Sequence, residues 1–279
     1  MALPSVGVFV SFVALSVLFV GLISLTQWTG FDLSQIRWAG LDNYSNLAND
    51  PVFWRSLRQT LLYTGICTVL LNVAGFSLAY LVHTRVRGSG LLKAIIFVPV
   101  LMSPVVVGLM WSNLLRGNGG ALNELLAAIG LTSQPIFFLG EQPYAFAAIV
   151  FATVWQFTGL NMILYYAGLQ GLSPSLMEAA ALDGASRWAT IRHVVLPSLY
   201  PVISVITLLN IIGCLREFDI MFVLTRGGPE RSTEVLATYM YEQAFSFSNM
   251  GKASAIAMVI VVIAVGVSLL RLRLARHVG

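Results

Sequence analysis

Charge is scarce in this 279-residue sequence: 10% of residues are Asp, Glu, Lys or Arg, against 57% hydrophobic, and the mean hydropathy is +0.83. Soluble domains carry about a quarter charged residues. A water-exposed fold of this length could not hide so much apolar side chain and keep a solvated surface, so the scarcity excludes a soluble protein. Cysteine is almost missing. Cys67 and Cys214 both lie in apolar runs, which leaves no disulfide framework or metal-ligand spacing and reads as two packing thiols. The three histidines, His83, His193 and His277, are scattered along the chain and are expected as interfacial or cytoplasmic side chains, with no metal site. The catalytic signatures are absent too. No G-x-x-x-x-G-K-[ST] string occurs, and the nearest, "GSGLLKA" at 88–94, has the wrong spacing. H-E-x-x-H and G-x-S-x-G are missing as well. The chain therefore has no machinery for hydrolysing a nucleotide or forming a covalent intermediate, and is expected not to be an enzyme. Uphill movement of a solute would draw its energy from a partner or an ion gradient. The net charge of +4 is small, and basic residues beside lipid headgroups account for it without a nucleic-acid partner.

What is present is a series of long apolar runs. Stretches of about 20 such residues mark helical membrane spans, and six occur, at about 5–27, 58–82, 91–114, 143–169, 200–223 and 251–271. The first lacks the basic flank and the small-residue cleavage site of a signal peptide, so it counts as a span. Even parity puts both termini on one side. With that side cytoplasmic, the inner segments hold Arg85, Arg87, Lys93, Arg187, Arg192, Arg271, Arg273 and Arg276. The outer ones hold Arg37, Arg55, Arg58, Arg116, Arg226, Arg231 and Lys252. The inner segments are much shorter, so basic density favours N-in and C-in. The expectation is an all-α integral membrane protein forming one membrane domain over 1–279. In the outer loop 29–56, Asp50 and Pro51 look like a helix start. Trp54, Arg55 and Arg58 fit either a helix lying at the interface or an ordinary connector.

The loop between the fourth and fifth runs, 170–199, is charged and rich in small residues. Pro174 suits a helix entry, and Ser175 with Glu178 has capping-box spacing. Gly184 after Asp183 is a helix stop, Ser186 can cap a second short helix, and Pro197 ends that one. The pattern predicts two short helices projecting from the membrane. Helices this short are marginal in water. Either they dock on another protein through small side chains such as Ala179, Ala180 and Gly184, or they form a stiff loop on their own bundle.

Within this loop, Glu178-Ala179-Ala180, Asp183-Gly184-Ala185, Ile191, Leu196-Pro197 and Pro201 resemble the "EAA" motif of ABC-importer permease subunits. A second block, "FDIMFVLTRGGPERSTEVLATYMYEQAFSFSNMGKASA" at 218–255, is similar to the T-x-G-G-P…Y-x-x-A-F…G-x-A-S-A pattern of carbohydrate-type permeases, the maltose/glycerol-phosphate kind. The resemblance covers the chain from near residue 5 to its end. It implies a type I ABC-importer permease fold in a prokaryotic plasma membrane, with 175–193 as the coupling helix that sits in a groove of a cytoplasmic ATPase subunit. Glu178, Ala179, Ala180, Asp183, Gly184, Ala185 and Arg187 are then the coupling residues. The partners it implies are a second homologous permease, two ATPase subunits that bind ATP and Mg, and an extracytoplasmic solute-binding protein. This chain itself would need no cofactor, and its cargo would be a sugar or sugar-like solute.

Polar residues inside spans are costly and usually face a cavity or a partner. Asn210, Gly213, Cys214 and Glu217 share the i, i+3, i+4, i+7 spacing of one helical face, and Thr153, Gln156, Phe157, Leu160 and Asn161 form a comparable one. Hydrogen-bonding groups beside aromatics suit a hydroxyl-rich ligand. The resemblance places sugar contacts on the same two spans, although the side chains here differ. The other reading is interhelical glue, with Arg216 and Asp219 simply pairing at i, i+3. "TRGGP" at 225–229 is a turn by composition, and the resemblance makes Gly227, Gly228 and Pro229 a loop facing the binding protein. An ion-coupled secondary transporter with Glu217 or Asp219 as the protonatable site is the rival reading. It leaves 175–193 without a task.

Overall fold

The computed structural model describes residues 3–84 and 88–275; Arg85, Arg87, Arg276 and His277 lie outside the described residues. The described residues are mostly helical. It divides into two compact units, one made of Met1–Leu62 with Leu215–Gly279 and the other of Tyr63–Cys214.

In the first unit, helix α1 (Leu3–Ser24) leads into a short antiparallel pair, β1 (Thr26–Gln27) and β2 (Arg37–Trp38), followed by α2 (Asp42–Ala48). Asn43 on α2 is buried, and its Nδ2 donates to the Ser24 and Thr26 carbonyls at 2.8 Å each. It thereby satisfies acceptors that the end of α1 leaves without intrahelical donors. Helix α3 (Pro51–His83) begins where Asp50 Oδ1 accepts the Val52 N–H at 2.9 Å. The sequence's helix start at Asp50–Pro51 is therefore real. The expected interfacial helix is not a separate element, because Trp54, Arg55 and Arg58 occupy the first turns of α3.

In the second unit, α3 continues beside α4 (Ser89–Phe97), α5 (Pro104–Leu114), α6 (Ala121–Ala128) and α7 (Tyr144–Gln170). Its core joins Ala79 and Val82 of α3 to Met162, Tyr165 and Leu169 of α7. Small residues let these helices touch. A Cβ on Gly159 would lie 2.3 Å from the Ile96 carbonyl, and one on Gly75 would lie 2.5 Å from Asn161 Cβ. After α7 come α8 (Pro174–Leu182), α9 (Arg187–Thr190), a wide π turn over Ile191–Val195, α10 (Leu196–Ser198) and α11 (Tyr200–Leu215). The chain then returns to the first unit through α12 (Asp219–Leu224), α13 (Leu236–Tyr241), a second π turn over Glu242–Ser246 and α14 (Met250–Ala275). There Leu47, Phe53, Leu236, Tyr239, Ala255 and Ile256 form one buried cluster.

Among the described residues, three helices are long and apolar enough to cross a membrane: Pro51–His83, Tyr144–Gln170 and Met250–Arg271. Two bent pairs pass the same test together, and Phe9–Ser24 is a shorter apolar helix. The run expected at 91–114 is broken, with a 97° bend between Ser89–Leu101 and Pro104–Leu114. Ser103 is extended there and Pro104 opens α5, since the residue before a proline is pushed out of helical geometry. The run expected at 200–223 is not one helix either. Its helix stops at Leu215 before resuming at Asp219, and the 73° bend between Arg187–Ser198 and Tyr200–Leu215 lies just ahead of its start.

Candidate functional site

Ser173 is the N-cap residue of α8, extended at ψ 129, with Pro174 at the first helical position. The expected capping box is not formed. Ser175 lies one residue inside the helix, where its hydroxyl meets that of Ser173 at 2.7 Å, and Glu178 stays exposed. The end of α8 follows the sequence closely. Gly184 has φ +71, its N–H donates to Ala181 O at 3.1 Å, and the Ala185 N–H donates to Ala180 O at 3.0 Å. This paired-bond turn closes the carbonyls that α8 leaves open and needs a left-handed residue, which glycine supplies without strain. Ser186 then caps α9, accepting from the Ala189 N–H at 3.2 Å. Pro197 lies one residue before this helical stretch ends at Ser198, where the chain bends by 73° into α11. The π turn immediately before it widens the backbone where the proline ring and missing N–H would disturb an ordinary α turn.

Of the coupling residues named from the sequence, Glu178, Ala179, Asp183, Gly184, Ala185 and Arg187 are exposed. Ala180 is 6% exposed and packs inward, so the small-residue stripe is not a single open face. Two neighbours that the motif spacing does not mark, Leu182 and Trp188, are 89% and 68% exposed. Large apolar side chains beside the turn were the available signal. Glu178 also opens on a groove of about 610 Å³ whose other walls include Tyr80, His83 and Gln170.

The polar residues of α7 bond to three different partners, and one of them, Asn161, reaches Asn210 on α11. Thr153 and Tyr63 share a hydrogen bond of 2.8 Å. Asn161 Nδ2 donates to its own helix at Phe157 O, 3.1 Å, while Asn161 Oδ1 accepts from Asn210 Nδ2 at 2.8 Å. Gln156 Nε2 donates to the Met102 carbonyl at 2.9 Å, at the break between α4 and α5. Gln156 is 1% exposed, and its Oε1 has no partner among the described residues. Phe157 is half-buried, Leu160 is exposed, and Cys214 is buried.

Glu217 departs from the expected face. Because α11 stops at Leu215, the helical spacing extends only to Cys214, and Glu217 falls in the first unit. There it is half-buried and its Oε1 accepts the Ile220 N–H at 3.3 Å, a side-chain cap for α12. Arg216 and Asp219 form no ion pair among the described residues, since 216–218 are not helical and the i, i+3 geometry is lost.

"TRGGP" is a tight turn. Gly227 has φ +86, the Gly228 N–H donates to Thr225 O at 2.9 Å, and the Thr233 hydroxyl donates to Gly228 O at 2.7 Å. Beyond Pro229, Arg231 pairs with Glu234 at 2.7 Å and takes Glu242 in a bidentate grip at 2.8 and 2.9 Å. Burial pushes the Glu234 carboxyl up, and the Arg231 guanidinium opposes that. These charges are far apart in sequence, and spacing alone did not reveal the cluster.

The model of the binding-protein-dependent transport system inner membrane component family matches residues 75–278. A probable ABC transporter permease protein of Pyrococcus horikoshii is 34% identical over 249 residues, 89% of this chain and 84% of that protein. The trehalose/maltose transport system permease protein MalF of Thermococcus litoralis is 34% identical over 251 residues, 90% and 83% of the two chains. Among solved structures, a bacterial alginate ABC transporter in complex with an alginate pentasaccharide-bound periplasmic protein shares the fold. Its matching chain has a TM-score of 0.85 at 23% identity, covering 100% of this chain and 93% of that one. With its sequence match over most of its length and its fold shared end to end, the chain belongs to the family of binding-protein-dependent transport system inner membrane components.

Proposed function

We propose that this chain is the permease subunit of an ABC importer for a sugar or sugar-like solute, working in a prokaryotic plasma membrane. The substrate class is supported by the relative whose name gives trehalose and maltose as its cargo. The observation that carries the coupling role is the α8–Gly184–α9 element, which is locked internally yet leaves Leu182 and Trp188 uncovered. Such an element suits seating in a partner: the backbone is already ordered, and apolar side chains remain to be buried. ATP-driven closure of two ATPase subunits, which bind ATP and Mg, moves 175–193 as a lever. The spans then rock between inward- and outward-facing states. The chain forms a single membrane domain of six spans with both termini inside, paired with a second homologous permease. A solute-binding protein delivers cargo to the outer face, where Gly227, Gly228 and Pro229 lie. Thr153, Gln156, Phe157, Leu160, Asn161, Asn210 and Cys214 line the route.

The test is uptake of labelled trehalose and maltose into vesicles holding the chain with its partner subunits. Uptake that needs both internal ATP and the external binding protein is expected. Uptake driven by a proton gradient without ATPase subunits refutes the proposal. Cysteine labelling checks topology: Glu178→Cys reacts only from the inside and Gly228→Cys only from the outside.

A further inference from the structure

Helices α7 and α11 share an anchor on α3, a helix that contributes nothing to the route described above. Asn72 of α3 braces its side chain on its own helix, Nδ2 donating to Thr68 O at 2.7 Å. Two hydroxyls from different helices then converge on its Oδ1. One is that of Tyr165 on α7, a residue 1% exposed, and the other is Thr207 Oγ1 on α11, at 3.3 Å. Helical threonines commonly spend the hydroxyl on their own backbone, as Thr158 does on Val154 O at 2.6 Å. Thr207 instead reaches across to α3.

One turn away lies the Asn161–Asn210 bond, also between α7 and α11. Asn161 and Tyr165 stand at i, i+4 on α7, and Thr207 and Asn210 at i, i+3 on α11, so each helix presents both residues on one face. Helix α3 reaches this second layer as well, since a Cβ on Gly75 would lie 2.5 Å from Asn161 Cβ. A single bond between two helices fixes a distance but leaves them free to turn about it. A second point of attachment, shared through one acceptor on a third helix, fixes their rotation and sliding too. Polar groups that select a ligand must be held within about 0.5 Å, and it is their supporting residues that hold them.

We propose that Asn72 is a positioning residue for solute selection. Through Tyr165 and Thr207 it sets how Asn161 and Asn210 stand to each other, and so which sugar hydroxyls that pair meets. Asn72 touches no solute itself. This role rests on the sugar-import reading above and on the place of Asn161 and Asn210 along the route.

The test compares uptake of trehalose and maltose by the full complex in vesicles, each sugar supplied on saturating binding protein. The readout is the ratio of the two rates, because a loss of folded complex lowers both together and leaves the ratio alone. Tyr165→Phe and Thr207→Val each remove one hydroxyl at nearly constant shape. Each is expected to shift the ratio about threefold, the size of one hydrogen bond between membrane helices. In an Asn72→Leu background neither should shift it further, since the shared acceptor is gone; a further shift there overturns the role of Asn72. Asn210→Ala tests the route itself and should also move the ratio. A ratio that moves in Asn210→Ala but in neither hydroxyl variant leaves Asn72 as packing alone. A ratio unmoved even by Asn210→Ala refutes the route, and a wild-type complex that carries neither sugar refutes the substrate reading. The positioning role falls with either.

Discussion

Asn210 on α11 gives its amide to Asn161 on α7 across 2.8 Å, and Asn161 spends its own amide on Phe157 O. The pair thus links the two helices, and Asn210 Oδ1 has no hydrogen-bond partner among the described residues. A double-mutant cycle of Asn161→Ala and Asn210→Ala should return a coupling of about 0.6 kcal/mol, the usual size of such bonds between membrane helices, in thermal unfolding of the purified complex. Asn210→Ala should weaken uptake with assembly intact. If the dependence of uptake on solute concentration is unchanged, Asn210 belongs to packing alone.

The turn at Gly184 separates backbone conformation from docking. No heavy atom lies within 4 Å of a Cβ placed there, so the chain itself has room for a side chain and only the positive φ resists one. Gly184→Asn, which tolerates left-handed geometry, should keep ATP-driven uptake near normal. Gly184→Ala should cost the turn about 1 kcal/mol. Gly184→Arg should stay in the membrane but lose ATP-driven uptake, because the long side chain stands where the ATPase surface closes. Normal uptake by the arginine variant would remove the docking role.

How far the sequence anticipated the fold depends on the range of the physics involved. Gly184 and Ser186 were legible because cap chemistry acts within four residues. The start of α3 at Pro51 was legible for the same reason. Hydropathy found the apolar runs but was blind to the bend at Ser103, since a broken run is as apolar as a straight one. The helical face drawn through Glu217 failed because periodicity assumes an unbroken helix, and Arg216–Glu217–Phe218 interrupts it. Gln156 was legible only as one member of the face shared with Thr153, Phe157, Leu160 and Asn161. Its bond to Met102 joins residues 54 apart, a distance that one sequence does not encode.

Gly159 fixes how closely α7 approaches α4. A Cβ there would stand 2.3 Å from Ile96 O and 2.9 Å from Phe97 Cα, both backbone atoms that cannot rotate away. Gly159→Ala should therefore destabilise the protein by about 1–3 kcal/mol, the range for overpacking. Gly65→Ala on α3 has nothing within 4 Å and should be near neutral. Melting temperatures of the two variants, compared in the same detergent, check the contrast.

Asp50 ties α3 to α13 and α14, accepting from the Tyr239 hydroxyl and from Lys252 Nζ at 2.7 Å. Burial alone would raise its carboxyl, but hydrogen bonds from Lys252, Tyr239 and the Val52 N–H outweigh that and hold it below the ordinary 3.8. A lowered carboxylate pKa contributes stability that is fully present above the unfolded value and is lost as pH falls through the folded one. Thermal stability should therefore drop on acidification below about pH 4, and this component of the slope should vanish in Asp50→Asn. At neutral pH, Asp50→Asn should cost more than Asp50→Asn with Lys252→Met, because the single change leaves a partly buried ammonium without its counter-ion.

Gln156 offers the sharpest separation of structure from transport. Its Nε2 serves the Met102 carbonyl at the break, where no helical donor is available, and its buried Oε1 serves nothing in the chain. Gln156→Glu would lose the donor and bury a carboxylate, so it should be the least stable variant. Gln156→Leu loses the same donor but also removes the idle acceptor, and these changes partly cancel. The leucine variant should therefore melt close to wild type. If a passing sugar hydroxyl is what Oε1 accepts, that same variant should take up trehalose or maltose several-fold more slowly. Slower uptake at an unchanged melting temperature puts Gln156 on the route. Wild-type uptake at an unchanged melting temperature would leave it as the brace of a bent helix and nothing more.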